Sequence, residues 1–315
     1  MRESLSVAPT AGLATAEVSR PRVQSPFARM IRRLLRNRSA QVGLIITSLI
    51  VLTAIFADII APYAYDQQIR QPGLRRRSPP CIHLLGCDRN KPQLLMGLDS
   101  NFRDLFSRVV YGSRLSLQIG FLTTGAAILI GTLLGAIAGY AGGWIDNIIM
   151  RVMDVLLAFP SLLLAIAIVS VLGPGLINTL LAVAIVSIPV YARVVRSSVL
   201  SVKEMDYITA SRALGASSAR ILFLRILPNS LTPTIVAGTL GIATAILDAA
   251  GLSFLGLGAQ PPTPEWGLML GEERNSVFNA PHLVFFPGVA IMITVLGFNL
   301  LGDGLRDAMD PRRRV

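Results

Sequence analysis

Long apolar runs separated by shorter polar segments dominate the chain. The runs lie at residues 40–61, 114–140, 147–172, 176–195, 231–256 and 283–303. Each approaches or exceeds the roughly 20 residues that a helix needs to cross a bilayer. None alternates apolar and polar residues as a membrane-spanning β-strand does. The pattern therefore predicts an all-α integral membrane protein with six transmembrane helices.

One polar run, residues 203–229, interrupts the apolar second half of the chain. Its first half is rich in small residues, and Gly215 lies near its centre. Because glycine tolerates the positive φ that ends a helix, we expect a short helix, a break at Gly215 and a second helix. Small side chains on an exposed helix let another protein approach closely. The run therefore predicts a docking element, and an ordinary amphipathic connection between spans is the alternative.

The same run resembles the cytoplasmic coupling loop of the permease subunits of binding-protein-dependent ABC importers. Their loop reads E-A-A, three residues, G, nine residues and I-x-L-P, and Thr209-Ala210-Ser211, Gly215 and Leu227-Pro228 stand at these positions. Thr209 replaces the usual Glu, and Arg225 replaces a common Ile. The resemblance implies that ATPase subunits dock here. The implied contact residues are Tyr207, Thr209, Ala210, Ser211, Ala213, Leu214, Gly215 and Ala216.

Other segments resemble the C-type permeases of the dipeptide and oligopeptide branch. Residues 94–117 read LLMGLDSNFRDLFSRVVYGSRLSL, similar to that branch's LGTDxLGRDxxSRxxYGxRxSL, with Phe102 in place of a usual Gly. LSFLGLG at 252–258 and GDGLRDAMDP at 302–311 are similar to further family segments. The resemblance implies the type I ABC importer permease fold. Nickel permeases share these motifs and are the nearest alternative.

The resemblance also implies the partners of the chain. They are a second, B-type permease, two ABC ATPase subunits that hold ATP and Mg²⁺, an extracytoplasmic substrate-binding protein and membrane lipid. No cofactor or metal is expected on this chain. A secondary transporter or channel is the alternative from another class. It predicts an internal repeat with paired broken helices, and the sequence shows no second copy of the polar run.

Catalytic chemistry finds little support in the sequence. The only lysines, Lys91 and Lys203, do not follow a phosphate-binding loop of the form G-x-x-x-x-G-K-S/T. The only histidines, His83 and His282, have no nucleophile or acid pair assembled around them by spacing. We therefore expect a transport subunit rather than an enzyme, with ATP bound by another chain.

Charge sets the expected orientation. The net charge is +11, but the arginines cluster beside apolar runs, which favours membrane topology over nucleic-acid binding. We expect a multi-pass plasma membrane protein with both termini cytoplasmic, although the basic segment 70–91 argues locally the other way. The expected organisation is a cytoplasmic tail at 1–39, a first span at 40–61, an extracytoplasmic segment at 62–113, a core of five spans at 114–305 containing the coupling loop 203–229, and a cytoplasmic tail at 306–315.

The amino-terminal tail has two parts. Residues 1–24 lack any apolar period and read as disordered, without the features of a cleavable signal peptide. Residues 25–41 are basic, with apolar residues at helical spacing. This stretch either lies along the inner membrane surface or serves only as a topology signal.

Glycine and proline mark two expected features within the spans. Gly131, Gly135 and Gly139 repeat every four residues in the second run, a spacing that permits two helices to cross closely. We interpret this repeat as packing rather than pathway. Pro160 falls inside the third run and predicts a kink, and it is also a candidate residue of the translocation pathway.

Two carboxylates within spans are candidates for the translocation pathway, because a charge there is costly. Asp248 could bind a cationic group, pair with a partner subunit or meet water near an exterior loop. Asp154 lies three residues after Arg151, so a local ion pair is its expected role.

Cys81 and Cys87, in the sequence CIHLLGC, are the only cysteines. A short disulfide is plausible in an oxidising exterior. Free thiols are the alternative, as is a metal site with His83, although that would supply only three ligands.

Overall fold

The computed structural model describes residues 34–309, in which the long regular elements are α-helices. The expectations for residues 1–33 and 310–315, which include most of the basic amphipathic stretch and of the carboxyl-terminal tail, lie outside the described residues. The helices are α1 Arg38–Ile55, α2 Ala57–Ile60, α3 Leu105–Ala141, α4 Gly143–Leu157, α5 Ser161–Leu172, α6 Leu176–Lys203, α7 Asp206–Ala213, α8 Ser218–Ile221, α9 Leu227–Ser230, α10 Thr232–Phe254, α11 Trp266–Glu273 and α12 His282–Met309. A π-helical turn, Leu222–Ile226, joins α8 to α9.

Five helices, α1, α3, α6, α10 and α12, are long and apolar enough to cross a membrane. The bent pair α4–α5 provides the sixth predicted span when it is counted as one. Several helices are longer than the predicted apolar runs. Helix α3 begins at Leu105 rather than at 114, α6 continues to Lys203 rather than ending at 195, and α12 continues to Met309 rather than ending at 303. The extra turns carry charged residues whose partners lie on other elements, so their composition resembles that of a loop.

The third span breaks where only a kink was predicted. Helix α4 ends at Leu157, α5 begins at Ser161, and the two helices are bent by 92°. Pro160 immediately precedes α5 with an extended backbone. Proline disfavours helical geometry in the residue before it, which ends α4 early. The first span is also interrupted, at Phe56, before the predicted stop at Pro62.

Helices α3 and α6 approach each other along the predicted glycine repeat. A Cβ atom added to Gly135 would meet the backbone of Ala192, and one added to Gly139 would lie 2.9 Å from Val199 Cγ1. A Cβ on Gly131 would be equally crowded by α6. The structure thus confirms the interpretation of this repeat as a close helix crossing.

Two ion pairs join α4 to α6. Arg196 donates from Nε and Nη2 to the two carboxylate oxygens of Asp146, both at 2.5 Å. Arg193 Nη2 lies 2.5 Å from Asp154 Oδ1. The predicted pairing of Asp154 with Arg151 was therefore wrong. The bend after α4 brings that helix alongside α6, where a long arginine side chain reaches the carboxylate.

A buried ionic cluster joins the two connecting segments at one end of the bundle, residues 62–104 and 255–281. Arg103 Nε donates to Asp99 Oδ2 at 2.5 Å, and Arg103 also lies 3.3 Å from Glu272 Oε2. Arg108, whose side chain is 1% exposed, lies 3.7 Å from Asp99 and 3.4 Å from Glu272. Each buried charge has an opposite neighbour, which offsets the cost of its removal from water.

Two further glutamates stabilise the same end. Glu265 caps α11 by accepting from the backbone N–H groups of Gly267 and Leu268, while its burial raises the pKa of the carboxyl. Burial alone would also raise the pKa of Glu273, but hydrogen bonds from Ser100 and Arg77 outweigh it and hold the pKa below its usual value. The proline-rich loop 255–265 is irregular as predicted, and α11 begins directly after it.

We expect Gly135→Val to destabilise the bundle by about 3 kcal/mol, because its side chain would collide with the backbone of α6. Thermal unfolding of the purified protein in detergent measures the effect. Gly125→Val is the matched control, since it lies in α3 with no atom within 4 Å of an added Cβ. An equal loss of thermal stability in Gly135→Val and Gly125→Val would contradict the close crossing.

We expect Arg108→Met to cost about 3–5 kcal/mol, because it leaves buried carboxylates short of a cation. The double change Arg108→Met with Glu272→Met should recover part of the loss, since it removes a carboxylate as well. Arg75→Met, at an exposed arginine of the adjoining segment 62–104, is the control. Unfolding of the three variants and their rate of proteolysis in residues 62–104 are the measurements. No recovery in the double variant would show that the cluster is not coupled in this way.

Candidate functional site

A cavity of 540 Å³ lies among the spans, between α6, α10 and the break that separates α4 from α5. Helix α10 lines it with residues spaced three or four apart, which share one helix face. They are Ala237, Leu240, Gly241, Thr244 and Asp248. The opposite wall consists of Val186, Ser187, Val190 and Tyr191 from α6, and of Leu156, Leu157, Phe159 and Ser161 around the break.

Among the described residues that line this cavity, Asp248 is the only one with a charged side chain. It is half-buried, and within residues 34–309 its carboxylate makes no hydrogen bond or ion pair. A carboxylate among apolar neighbours attracts a cation or a hydrogen-bond donor, so this position can hold a positively charged group.

The other two pathway candidates lie off the cavity wall. Asp154 is half-exposed and paired with Arg193. Pro160 is not a lining residue, but it creates the break whose flanking residues, Phe159 and Ser161, do line the cavity. Its contribution is therefore to the shape of the cavity.

Sequence reasoning missed the hydroxyl groups that line the same cavity as Asp248. Thr244 precedes it by one helical turn, so helical spacing alone could have identified this residue. Ser187 and Tyr191 belong to α6 and reach the cavity from across the bundle. No local pattern connects them with Asp248.

A second cavity of 410 Å³ continues along α10. It shares Ala237 and Leu240 with the first and extends to Thr232, at the start of α10, and to Arg306, near the end of α12. The two cavities together form a groove along α10 from Asp248 to the end of the bundle that carries the polar run.

The polar run folds as predicted, with helix α7, a break and helix α8. Gly215 has a φ of +80° with open space around it, which is the left-handed geometry that favours glycine. Six of the eight candidate docking residues are exposed: Tyr207, Thr209, Ala210, Ala213, Leu214 and Gly215. Ser211 and Ala216 are half-buried. Leu214 is 88% exposed, so the tip of this loop presents an apolar side chain to the surroundings.

A buried apolar cluster, which includes Ile208 of α7, fixes this loop to the spans. Ile208 is the only buried side chain of α7, and it packs in an apolar cluster with residues of α6 and of the segment after α8. The α6 members are Val195, Val199 and Val202. Sequence reasoning missed Ile208 because it stands alone among polar neighbours. This contact connects the exposed loop to a helix that also lines the cavity.

Comparison with known proteins agrees with this architecture. Residues 131–315 match the family described as "Binding-protein-dependent transport system inner membrane component". Residues 25–80 match the "N-terminal TM domain of oligopeptide transport permease C". Residues 1–24 and 81–130 lie outside these two matches.

Curated relatives match over nearly the whole length. The chain is 50% identical to the dipeptide transport system permease protein DppC of Alkalihalophilus pseudofirmus, covering 92% of this chain and 91% of the relative. It is 46% identical to the di/tripeptide transport system permease protein DppC of Pseudomonas aeruginosa, covering 91% and 93%. It is 45% identical to the glutathione transport system permease protein GsiD of Pectobacterium atrosepticum, covering 95% and 96%.

A solved structure shares the fold. An inward-facing MetNI methionine ABC transporter aligns with a TM-score of 0.54 at 20% identity, covering 64% of this chain and 97% of that chain. The profile match, the relatives and the arrangement of helices agree. The chain therefore belongs to the family of binding-protein-dependent transport system inner membrane components, as a permease subunit of an ABC importer.

Proposed function

We propose that this chain forms half of the translocation pathway of an ATP-driven importer of di- or oligopeptides. The observation that carries the proposal is the unpaired Asp248 on the wall of a largely apolar cavity. Every peptide with a free amino terminus carries an ammonium group that such a carboxylate can bind. The relatives whose names refer to dipeptides, tripeptides and glutathione support the same substrate class.

A nickel substrate is the second candidate within the family. The wall of the cavity favours peptide, because its described lining residues include one carboxylate and neither histidine nor cysteine. Nickel sites in proteins use imidazole and other nitrogen or oxygen donors in a defined geometry. A peptide, by contrast, needs one counter-charge and apolar walls that accept varied side chains.

The ATPase subunits would act through the loop that contains α7 and α8. Its exposed small residues and Leu214 provide a surface for a partner, and Ile208 joins that surface to α6. Since Ser187 and Tyr191 of α6 line the cavity, a displacement of α7 would be transmitted to the cavity wall. Alternating access would follow from the binding and hydrolysis of ATP on the partners.

The proposed assembly contains a second, B-type permease, two ABC ATPase subunits and an extracytoplasmic substrate-binding protein. ATP and Mg²⁺ would bind to the ATPases, and this chain would hold no cofactor and catalyse no reaction of its own. The loop of α7 and α8 and both termini would face the cytoplasm, which places residues 62–104 and 255–281 outside.

We expect Asp248→Asn to lower peptide uptake about tenfold, because a hydrogen bond to a charged group is worth roughly 1.5–3 kcal/mol. Uptake by the complete transporter in vesicles and recovery of the ATPase subunits are the measurements. The ATPases should co-purify normally. Asp154→Asn, the same chemical change at an exposed ion pair away from the cavity, is the control. Equal uptake by the Asp248 variant and the wild type would remove Asp248 from the pathway.

We expect Ala210→Glu and Gly215→Glu to abolish coupling while the protein inserts normally. Both add a bulky charge to the docking surface, and Gly215→Glu also penalises the positive φ. Co-purification of the ATPases and substrate-stimulated ATP hydrolysis are the measurements. Gly173→Glu is the control, since Gly173 also has a positive φ and open space but lies at the other end of α6.

If both docking variants retained their ATPases and normal coupling, the assignment of this loop as the docking site would be wrong. If Gly173→Glu caused the same loss as Gly215→Glu, the effect would instead come from backbone strain. The proposal requires Ala210→Glu and Gly215→Glu to lose ATPase binding or coupling, and Gly173→Glu to keep both.

A further inference from the structure

The disulfide-closed loop of residues 81–87, called here the exterior finger, has an apolar tip. Its 3₁₀ turn, His83–Leu85, presents two leucines that nothing in the described chain covers. Leu84 is 94% exposed and Leu85 is 79% exposed. The finger belongs to the segment between α1 and α3, well separated in sequence from the apolar spans.

The finger is held in one shape from its base. A disulfide joins Cys81 to Cys87, with their Cα atoms 5.4 Å apart. Cys81 and Leu94 exchange two backbone hydrogen bonds, of 2.8 and 2.9 Å. His83 Nε2 donates to the Lys91 carbonyl oxygen at 2.8 Å. These bonds prevent the two leucines from folding back onto the segment.

A rigid, exposed apolar pair is the kind of element that anchors a protein interface. Exposing apolar side chains to water is unfavourable in free energy. Their burial in a partner's pocket therefore contributes to binding. Because the finger is already ordered, binding would cost little conformational entropy.

The finger is surrounded in sequence by an excess of positive charge. The exposed cations of residues 62–104 are Arg70, Arg75, Arg76, Arg77, Arg89 and Lys91. The exposed carboxylates there are Asp66 and Asp88 alone. Arg77 is partly neutralised by Glu273, but within residues 34–309 no carboxylate forms an ion pair with the remaining cations. The segment therefore attracts an acidic surface.

The finger and the ATPase-docking loop lie at opposite ends of the bundle. Helix α3, the bent pair α4–α5 and helix α6 separate them, which makes three crossings when the pair counts as one span. The partner that reaches the finger is therefore not the one that docks beside Gly215.

We propose that the exterior finger docks the substrate-binding protein, with Leu84 and Leu85 entering an apolar notch rimmed by acidic side chains. This inference rests on the proposed function and on the dependence of the family on a binding protein. A protein partner is favoured over lipid because α1 and α3 already anchor both ends of the segment. In addition, residues 81–93 contain no Trp or Tyr, the residues enriched at membrane interfaces.

The test uses the complete transporter in nanodiscs and measures ATP hydrolysis against the concentration of its binding protein. We expect Leu84→Ser with Leu85→Ser to raise the half-saturating concentration about tenfold or more, with the maximal rate unchanged. Leu84→Met with Leu85→Met keeps the apolar surface and should behave like the wild type. Intact mass after thiol alkylation without reductant should show the disulfide in every one of these variants.

Charge is tested separately. Arg89→Gln with Lys91→Gln should raise the half-saturating concentration and weaken its dependence on salt, because fewer charges face the acidic surface. Cys81→Ser with Cys87→Ser should also raise it, because the tip then loses its fixed shape.

If Leu84→Ser with Leu85→Ser left the half-saturating concentration of the binding protein unchanged, the docking proposal would be overturned. The same result together with quenching of a label at residue 84 by brominated lipid would assign the finger to the membrane, which also overturns it. Failure of any binding protein to stimulate the wild-type complex would overturn the proposed function itself, and the docking proposal with it.

Discussion

The close crossing of α3 and α6 at Gly131, Gly135 and Gly139 is the constraint on which the rest of the molecule depends. Helix α3 begins within the ionic cluster, because Arg108 lies in its first turn. Helix α6 lines the cavity and then continues to the residues that hold Ile208. Two backbones in near contact cannot slide past each other without a collision, since the interior is closely packed. The crossing thus fixes the positions of the ionic cluster, the cavity and the loop of α7 and α8 relative to one another.

Some polar side chains of the described spans have carboxylate or carbonyl partners within the chain, and others do not. Arg193 and Arg196 each bind a carboxylate of α4. Arg114 donates to the last carbonyl oxygens of α1 and to Asp58. Asp248, by contrast, faces a cavity. An unpaired carboxylate on the wall of such a cavity is a candidate contact for a ligand or a partner.

Features that depend on a few neighbouring residues could be predicted from the sequence. Features that depend on contacts between distant residues could not. Apolar length identified the spans, and the lone glycine at 215 identified the break in the loop, because each signal lies within a few residues. The first turns of α3 were missed because Arg108 made them look like exterior loop, although Glu272 satisfies it from far along the chain. The partner of Asp154 and the hydroxyl groups of α6 that line the cavity depend on the arrangement of the helices. The right-angle turn at Pro160 depends on it too, since proline alone permits either a kink or a break.

The buried ionic cluster also limits how this permease can be recombined with its relatives. Its arginines come from one segment and its glutamates from another, more than a hundred residues later in the sequence. A chimera that grafted only residues 62–108 would bring cations into a pocket shaped for different anions. The two segments therefore form a single unit of exchange, although the chain encodes them separately, and changes within them are expected to accumulate in compensating pairs.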